Sequence, residues 1–188
     1  ERNSSASSFT NSDSNSNLIT LNLPVDKKLV ECLYKIKARN QEIYQFPTFG
    51  DALGSDYKLF ERNELSIDSF KKQLIVIVKN SLKSDIFISD SFFTIFRLGG
   101  GLVSHDHLNK IDRIEGLDIA KKKFSLVYYL SVGDQTCDEP GILKLENPNQ
   151  EILPSNGLII IFPAERKHSV FYKGEKDRII IGVNFYKI

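Results

Sequence analysis

The hydrophobic pattern of the chain changes from a helical period to a strand period near residue 86. Before that point, the alternating segment LITLNLP (18–24) predicts a short strand. Apolar residues then recur every three to four positions in VDKKLVECLYKIKAR (25–39) and again from Ile67 to Leu82. Such spacing lines one face of an amphipathic helix, so we expect two helices, the second with Ser66 as its N-cap.

Period-two alternation predicts strands through most of the remaining sequence. The candidates are DSFFTIFRL (90–98), KFSLVYYLSV (123–132), GILKLE (141–146), GLIIIFP (157–163), HSVFYK (168–173) and RIIIGVNFY (178–186). Turn-forming residues separate them, at 99–101, 139–141, 147–149, 156–157 and 173–174. Many short strands separated by turns are typical of a sandwich or barrel. We expect the two helices to pack on one face of it, with the Gly-, Pro- and aromatic-rich segment 44–57 as a loop between them.

Length and composition are those of one globular domain. The chain has 188 residues, 41% of them hydrophobic and 26% charged, which suits a single ordinary core. Residues 1–17 are mostly Ser and Asn and predict a flexible tail or linker. We therefore expect one domain over 18–188, with helical support in 18–85 and the β core in 86–188. From the tail and the absence of any Met, we expect a piece of a larger, multidomain chain.

Charge and cysteine content exclude some classes of function. With 25 Lys and Arg against 24 Asp and Glu, the sequence lacks the basic excess of a nucleic-acid-binding protein. Its one cationic run, Lys121–Lys123, is interpreted as a solvated loop or strand edge. No apolar run approaches the roughly 18 residues of a membrane span. Cys32 and Cys137 have no metal-site or disulfide spacing, which favours a reducing, cytoplasmic location.

The three histidines suggest a metal site. His105 and His107 are separated by one residue, so on a strand they would point to the same side, and His168 follows the predicted strand 157–163. Imidazole nitrogens bind iron, zinc, copper and nickel, and three protein ligands leave positions open for chemistry. The alternative is that the histidines are scattered on the surface without a shared role.

Arg178 opens the last predicted strand, where alternation places it on one face with Ile180, Gly182 and Asn184. A cation inside an apolar barrel is costly unless it is paired. An incoming carboxylate would be a suitable partner, because guanidinium and carboxylate form strong bidentate pairs. The alternative is a pair with a neighbouring acid, Asp177 or Glu175.

Taken in order, these segments resemble the iron(II)- and 2-oxoglutarate-dependent oxygenases, near the prolyl-hydroxylase-like branch. The matching pieces are GGGLVSHDH, FSLVYYLSV, EPGILKLENP, ILPSNGLIIIFPAERKHSV and DRIIIGVNF. The resemblance covers about half of the chain, from about Phe92 to Phe185. It implies a mainly β, cupin-like double-stranded β-helix, or jelly roll, with N-terminal helices packed against its major sheet.

The resemblance also implies roles for individual residues. His105 and His168 match iron ligands, and Arg178 matches the residue that binds the remote carboxylate of 2-oxoglutarate, with Tyr129 hydrogen-bonding the same group. His107 stands where the family usually has an acid, in a pattern similar to the HxH variant of some members. We therefore expect His107 to be the second ligand, with Asp106 as its rival if a bulge turns it inward.

Other positions depart from the family or have no clear role. Ile180 stands where relatives often have Ser, so one hydrogen bond to the cosubstrate would be absent. Asn109 and Asn184 are candidates to line the cavity, with a turn or cap position as the alternative, whereas Tyr128 should face away from Tyr129, in the core or against the helices. The segment 107–123 is interpreted as a solvated loop, with a lid over the substrate as the alternative; its acids are Asp112, Glu115 and Asp118.

The predicted function is an iron(II)- and 2-oxoglutarate-dependent dioxygenase. The resemblance implies hydroxylation of a C–H bond in an unidentified small-molecule or peptidyl substrate, with release of succinate and CO2. One alternative is a cupin-like metalloenzyme that uses the three histidines without 2-oxoglutarate. Another is a non-catalytic jelly-roll binding module.

Overall fold

The structure is a computed structural model, and it describes residues 17–36, 39–40, 52–97 and 99–188. The predicted tail at 1–16 lies outside the described residues. The helices are α1 (Lys27–Lys35) and α2 (Leu65–Leu82), with short 3-10 turns at Leu59–Glu61 and Ala120–Lys122. The strands are β1 (Ile19–Asn22), β2 (Arg39–Asn40), β3 (Ala52–Gly54), β4 (Ile86–Phe96), β5 (Gly101–His105), β6 (Lys123–Ser131), β7 (Leu143–Leu145), β8 (Gln150–Ile152), β9 (Leu158–Pro163), β10 (His168–Phe171) and β11 (Arg178–Lys187).

The strands form two antiparallel sheets. The major sheet has seven strands in the order β1-β9-β6-β11-β4-β3-β2, and the minor sheet has four in the order β5-β10-β7-β8. Between β4 and β11 the chain passes repeatedly from one sheet to the other, so strands distant in sequence become neighbours. This is the predicted double-stranded β-helix with helices at its N-terminal side, and the fold prediction is confirmed.

One face of the major sheet packs against the helices. Leu29 and Leu33 of α1 and the α2 stripe lie in a single buried cluster with residues of β6, β9 and β11. The buried α2 residues are Ile67, Phe70, Leu74 and Val78, as the helical spacing predicts. Tyr128 of β6 stacks on Phe70 with ring centroids 5.1 Å apart, so its predicted orientation toward the helices is confirmed.

A second buried cluster fills the space between the two sheets. Tyr129, Ile160 and Ile180 come from the major sheet, and Leu145 and Val170 come from the minor sheet. Neighbouring residues along β6 and β11 therefore alternate between the helix-side core and this inter-sheet space. The β-helix thus has an interior of its own, into which functional side chains can point.

Several local boundaries differ from the sequence predictions because long-range contacts decide them. Helix α1 ends at Lys35 rather than at residue 39, since the chain turns extended at Ile36 and then enters β2. Helix α2 begins at Leu65, with Glu64 at the N-cap position, so Ser66 is not the cap. A strand, β3, lies in the predicted loop 44–57, whose residues 44–51 lie outside the described residues.

The strand half also contains elements that alternation did not reveal. Gly101 belongs to β5 rather than to a turn, and β8 is a three-residue strand in the turn-rich segment after Asn147. Strand β4 begins at Ile86, four residues before the segment 90–98. Strands β5 and β8 have five and three residues, too few for a period to be visible in the sequence. Their pairing with neighbouring strands defines them.

No helix among the described residues is long and apolar enough to span a membrane.

The packing of α2 provides a matched test of the fold. Leu74 is 2% exposed in the helix-side core, whereas Leu65 of the same helix is 86% exposed. Leu74→Ala should lower the free energy of unfolding by about 2–5 kcal/mol, because it leaves a cavity. Leu65→Ala should change it by about 0.5 kcal/mol or less. Urea denaturation measures both, and equal effects would contradict the packing of this helix face.

Candidate metal centre

The fold brings the three histidines of the chain together at one end of the minor sheet. His105 ends β5 and His168 begins β10, and the two residues are direct partners in the antiparallel register. Their side chains therefore lie on one face of the sheet, with ring centroids 4.3 Å apart. His107 completes the group, and one nitrogen from each of the three rings lies within 4.8 Å of the others.

His107 reaches this group by a different route from the one expected. It lies beyond the end of β5, so the expectation that His105 and His107 share one strand face is wrong. Its backbone N–H instead donates to the carbonyl of Ala164, 2.9 Å away, in the connection between β9 and β10. This contact places the imidazole so that its Nε2 lies 3.2 Å from Nε2 of His168.

Backbone carbonyls orient two of the rings. Nδ1 of His105 lies 2.8 Å from the carbonyl oxygen of Val103, and Nδ1 of His168 lies 3.2 Å from that of Arg166. A ring that donates through Nδ1 keeps the lone pair of Nε2 free for a metal. The third ring, His107, has its Nδ1 3.5 Å from the side-chain amide of Asn184, which is itself bonded to Ser125.

Burial and neighbouring imidazoles lower the pKa of His107 and of His168. Burial lowers the pKa of His168 to about 4, with a further contribution from His105. Burial also holds the pKa of His107 well below its usual value, aided by the positive charge that His168 and His105 would carry. The neutral imidazole is the form that binds a metal ion.

The Asp106 carboxylate points away from the three rings. Its Oδ1 accepts hydrogen bonds from Nη2 of Arg113 at 2.6 Å and from the backbone N–H of Leu108 at 3.0 Å. Burial alone would raise the pKa of Asp106, but the bonds from Arg113 and Leu108 outweigh it and lower the pKa. The described group of side chains that could hold a metal consists of the three imidazoles and does not include Asp106.

A buried guanidinium lies in the same inter-sheet space. Arg178 is 1% exposed and lies 5.1 Å from the ring centroid of Tyr129. Its Nη2 donates to the carbonyl of Gly141, whereas Nε and Nη1 are buried and have no hydrogen-bond partner among the described residues. Unpartnered buried N–H groups are rare and costly. The arrangement fits an anion with two oxygens, such as a carboxylate.

The alternative partners proposed for Arg178 do not fill this role. Asp177 binds Arg97 instead, with Oδ1 3.0 Å from Nε, and accepts a hydrogen bond from Tyr34 on its other oxygen. Neither Asp177 nor Glu175 provides a hydrogen bond for the two unpartnered nitrogens of Arg178. The alternative of a rim ion pair with Asp177 or Glu175 is therefore not the arrangement that the structure has.

The inner faces of β6 and β11 connect the guanidinium to the imidazoles. Along β11, Arg178 is the first residue and Asn184 lies further along the same face, with Ile180 between them in the inter-sheet cluster. Tyr129 is the β6 partner of Ile180 and Ser125 that of Asn184. One row of side chains thus runs from Arg178 to the residue that contacts His107.

Sequence reasoning missed a buried ion pair beside the histidines. Nζ of Lys123 lies 2.7 Å from Oδ2 of Asp112, and both side chains are almost fully buried. The interpretation of Lys121–Lys123 as wholly solvated is therefore wrong at Lys123, and that of 107–123 as a solvated loop is wrong at Asp112. The alternation of β6 could have revealed this, since Lys123 shares its phase with Ser125 and Tyr129.

Solved structures share this fold. A prolyl hydroxylase from Trichoplax adhaerens, in complex with a hypoxia-inducible-factor peptide fragment, is 14% identical with a TM-score of 0.68, over 93% of this chain and 84% of that one. A Pseudomonas putida prolyl-4-hydroxylase is 16% identical with a TM-score of 0.61, over 93% and 94%. The viral collagen prolyl hydroxylase of Paramecium bursaria Chlorella virus-1, in a 2-oxoglutarate complex, is 14% identical with a TM-score of 0.64, over 92% and 96%.

No protein-family model matches the sequence, and no curated protein matches it. The chain has the jelly-roll fold of the 2-oxoglutarate- and iron(II)-dependent oxygenases, including prolyl hydroxylases. Within that fold it carries three clustered imidazoles able to hold a metal.

The depressed pKa of His168 predicts a pH dependence of stability for protein treated with a chelator. An unfolded His takes up a proton near pH 6.5, whereas folded His168 does so only near pH 4. This contribution to stability is present above pH 6.5 and is lost as the pH falls toward 4. At about 1.36 kcal/mol for each pKa unit, it amounts to roughly 3 kcal/mol.

Imidazole NMR across pH 4–7 measures the pKa of His168, and urea denaturation over the same range measures the free energy of unfolding. His168→Gln should flatten the pH dependence of the free energy of unfolding. A His168 ring that titrates near pH 6.5 would contradict the buried, neutral site.

Proposed function

We propose that this protein is an iron(II)- and 2-oxoglutarate-dependent dioxygenase that hydroxylates a C–H bond of a small-molecule or peptidyl substrate. One observation carries the proposal. Three clustered imidazoles and a guanidinium with two unpartnered nitrogens occupy the space between the same two sheets. A metal ion and a dicarboxylic acid bound to it would satisfy both groups at once.

In this proposal His105, His107 and His168 hold the iron through their Nε2 atoms. Asp106 is kept away by Arg113 and Leu108. Three imidazoles carry no net charge, so they leave the ion more positive than two imidazoles and a carboxylate would. That difference should alter metal affinity and redox behaviour.

Arg178 would bind the remote carboxylate of 2-oxoglutarate through Nε and Nη1, with Tyr129 beside it. Both side chains are 1% exposed, so the contact would be made with little competition from water. Ile180 cannot provide the hydroxyl that relatives often have at this position. The guanidinium therefore carries most of the expected recognition of this carboxylate.

When bound, the metal and cosubstrate would supply the oxidising chemistry that converts 2-oxoglutarate and dioxygen to succinate and CO2 with hydroxylation of the substrate. The chain would orient the ligands and exclude water. The apolar inter-sheet residues, among them Val170 and Ile180, would form the dry wall of the site. A single domain over 18–188 and a cytoplasmic location stay predictions.

The role of Arg178 separates this proposal from a metalloenzyme that does not use 2-oxoglutarate. Arg178→Gln should weaken binding of 2-oxoglutarate to the iron-loaded protein about 10- to 100-fold, because a charge-assisted contact contributes about 1.5–3 kcal/mol. Anaerobic calorimetry measures the affinity, and succinate formation measures turnover. Arg97→Gln, which removes an arginine already paired with Asp177, is the matched control.

Unchanged 2-oxoglutarate affinity in Arg178→Gln would favour the cupin-like alternative. A wild-type protein that binds neither iron nor 2-oxoglutarate would favour the non-catalytic binding module.

The choice of ligand in the HDH segment is tested by two neighbouring substitutions. His107→Ala should lower iron(II) affinity by more than tenfold, because it removes a coordinating nitrogen. Asp106→Ala should retain most of the affinity, since that carboxylate contacts Arg113. Iron content after anaerobic loading and desalting distinguishes them, and the opposite ranking would identify Asp106 as the ligand.

A further inference from the structure

His107 is the one imidazole of the site that no strand holds. We propose that the buried Lys123–Asp112 ion pair, assisted by Tyr186, is the positioning device that sets His107 for metal binding. The inference rests on the proposed function of the three imidazoles as metal ligands. It assigns a role to Lys123 and Asp112, two charged residues that the proposed chemistry does not otherwise use.

A path of hydrogen bonds starts at His107 and returns to the chain at Asn109, two residues further along. The His107 N–H donates to the Ala164 carbonyl at 2.9 Å, and the Ala164 N–H donates to the Lys123 carbonyl at 2.9 Å. From Lys123 the path continues through its ammonium to Asp112, at 2.7 Å. Oδ2 of Asp112 also accepts the N–H of Asn109 at 2.8 Å, only two residues beyond His107.

Tyr186 attaches this path to the centre of the major sheet. Its hydroxyl donates to the second oxygen of Asp112, Oδ1, at 2.6 Å. Tyr186 is the register partner of Lys123 across β11 and β6, and the Lys123 ammonium lies 5.2 Å from its ring centroid. Both oxygens of Asp112 are therefore engaged by strands that cannot move independently of the sheet.

Asn109 stabilises the intervening turn. Its side-chain oxygen accepts the N–H groups of Ile111 and Asp112, at 2.8 and 2.9 Å. The segment from His107 to Asp112 is thus bound at its start by Ala164, at its middle by its own turn and at its end by Lys123 and Tyr186. A strand ladder normally provides this constraint, and here side chains provide it.

The desolvation cost of the Lys123–Asp112 ion pair favours a role in positioning side chains over a role in stability alone. Side-chain exposure is 1% for Lys123 and 0% for Asp112, so both charges bear a desolvation cost. Apolar residues of similar size often stabilise a fold as well as a buried ion pair does. Unlike apolar packing, the ion pair fixes the position of Asp112, because its carboxylate accepts directional hydrogen bonds from Lys123, Tyr186 and the Asn109 N–H.

The test separates positioning from stability by measuring metal affinity and unfolding on the same variants. The probes are iron(II) under anaerobic conditions and cobalt(II), whose visible absorption reports coordination geometry. Tyr186→Phe, which removes one hydrogen bond, should weaken metal binding several-fold. Lys123→Met should weaken it about 10- to 100-fold, the range for partners that orient a ligand.

The double variant Lys123→Met/Asp112→Leu is decisive where Lys123→Met alone fails to fold. It replaces both charges with apolar side chains, so it should regain stability. Metal affinity should stay low, and the cobalt spectrum should differ from that of the wild type. Tyr128→Phe, which removes hydrogen bonds to the Leu23 and Pro24 carbonyls, is the control that alters stability without changing metal affinity.

Wild-type metal affinity and an unchanged cobalt spectrum in a folded double variant would overturn the inference and leave the proposed function intact. Failure of the wild-type protein itself to bind either metal would overturn the proposed function.

Discussion

The two faces of strand β11 pack into two different buried clusters, one against the helices and one between the sheets. The arrangement of helices, sheets and site around this strand depends on that packing. Strand β11 lies between β4 and β6 in the major sheet, and its residues from Arg178 to Phe185 are all buried. Ile179, Ile181 and Val183 belong to the helix-side core, whereas Ile180 belongs to the cluster between the sheets. Because side chains alternate along a strand, a shift of one residue would exchange the residues that pack against the helices for those that face the minor sheet.

The inter-sheet space contains charges in two contrasting arrangements. Lys123 and Asp112 satisfy each other, and Tyr186 and the Asn109 N–H complete the bonds of the carboxylate. Within the part of the chain that the structure describes, Arg178 donates one hydrogen bond, to Gly141, and two of its nitrogens have no partner. Since a buried polar group costs free energy unless it is bonded, the first arrangement is typical of structure and the second of a binding site.

The metal centre depends on contacts of different origin. His105 and His168 are neighbours because β5 pairs with β10, so sheet formation itself brings them together. His107 depends on Ala164 and on the hydrogen-bonded segment that follows it. In the proposed function these imidazoles hold a metal ion, and Arg178 binds the remote end of an anionic ligand bound to that ion.

Local periodicity was sufficient to predict the two helices and the β-rich second half, because a helix face or a strand face repeats within a few residues. The jelly roll was implied by the resemblance of the ordered motifs to a known family, and the fold confirms it. The shared role of the histidines and Arg178 was implied by the same resemblance and stays a prediction. Only the tertiary structure decided that His107 lies off the strand, that Asp106 turns to Arg113 and that Lys123 is buried. Each of these features depends on contacts with residues from other parts of the chain, such as Ala164 and Asp112. A local sequence pattern contains no information about such long-range contacts.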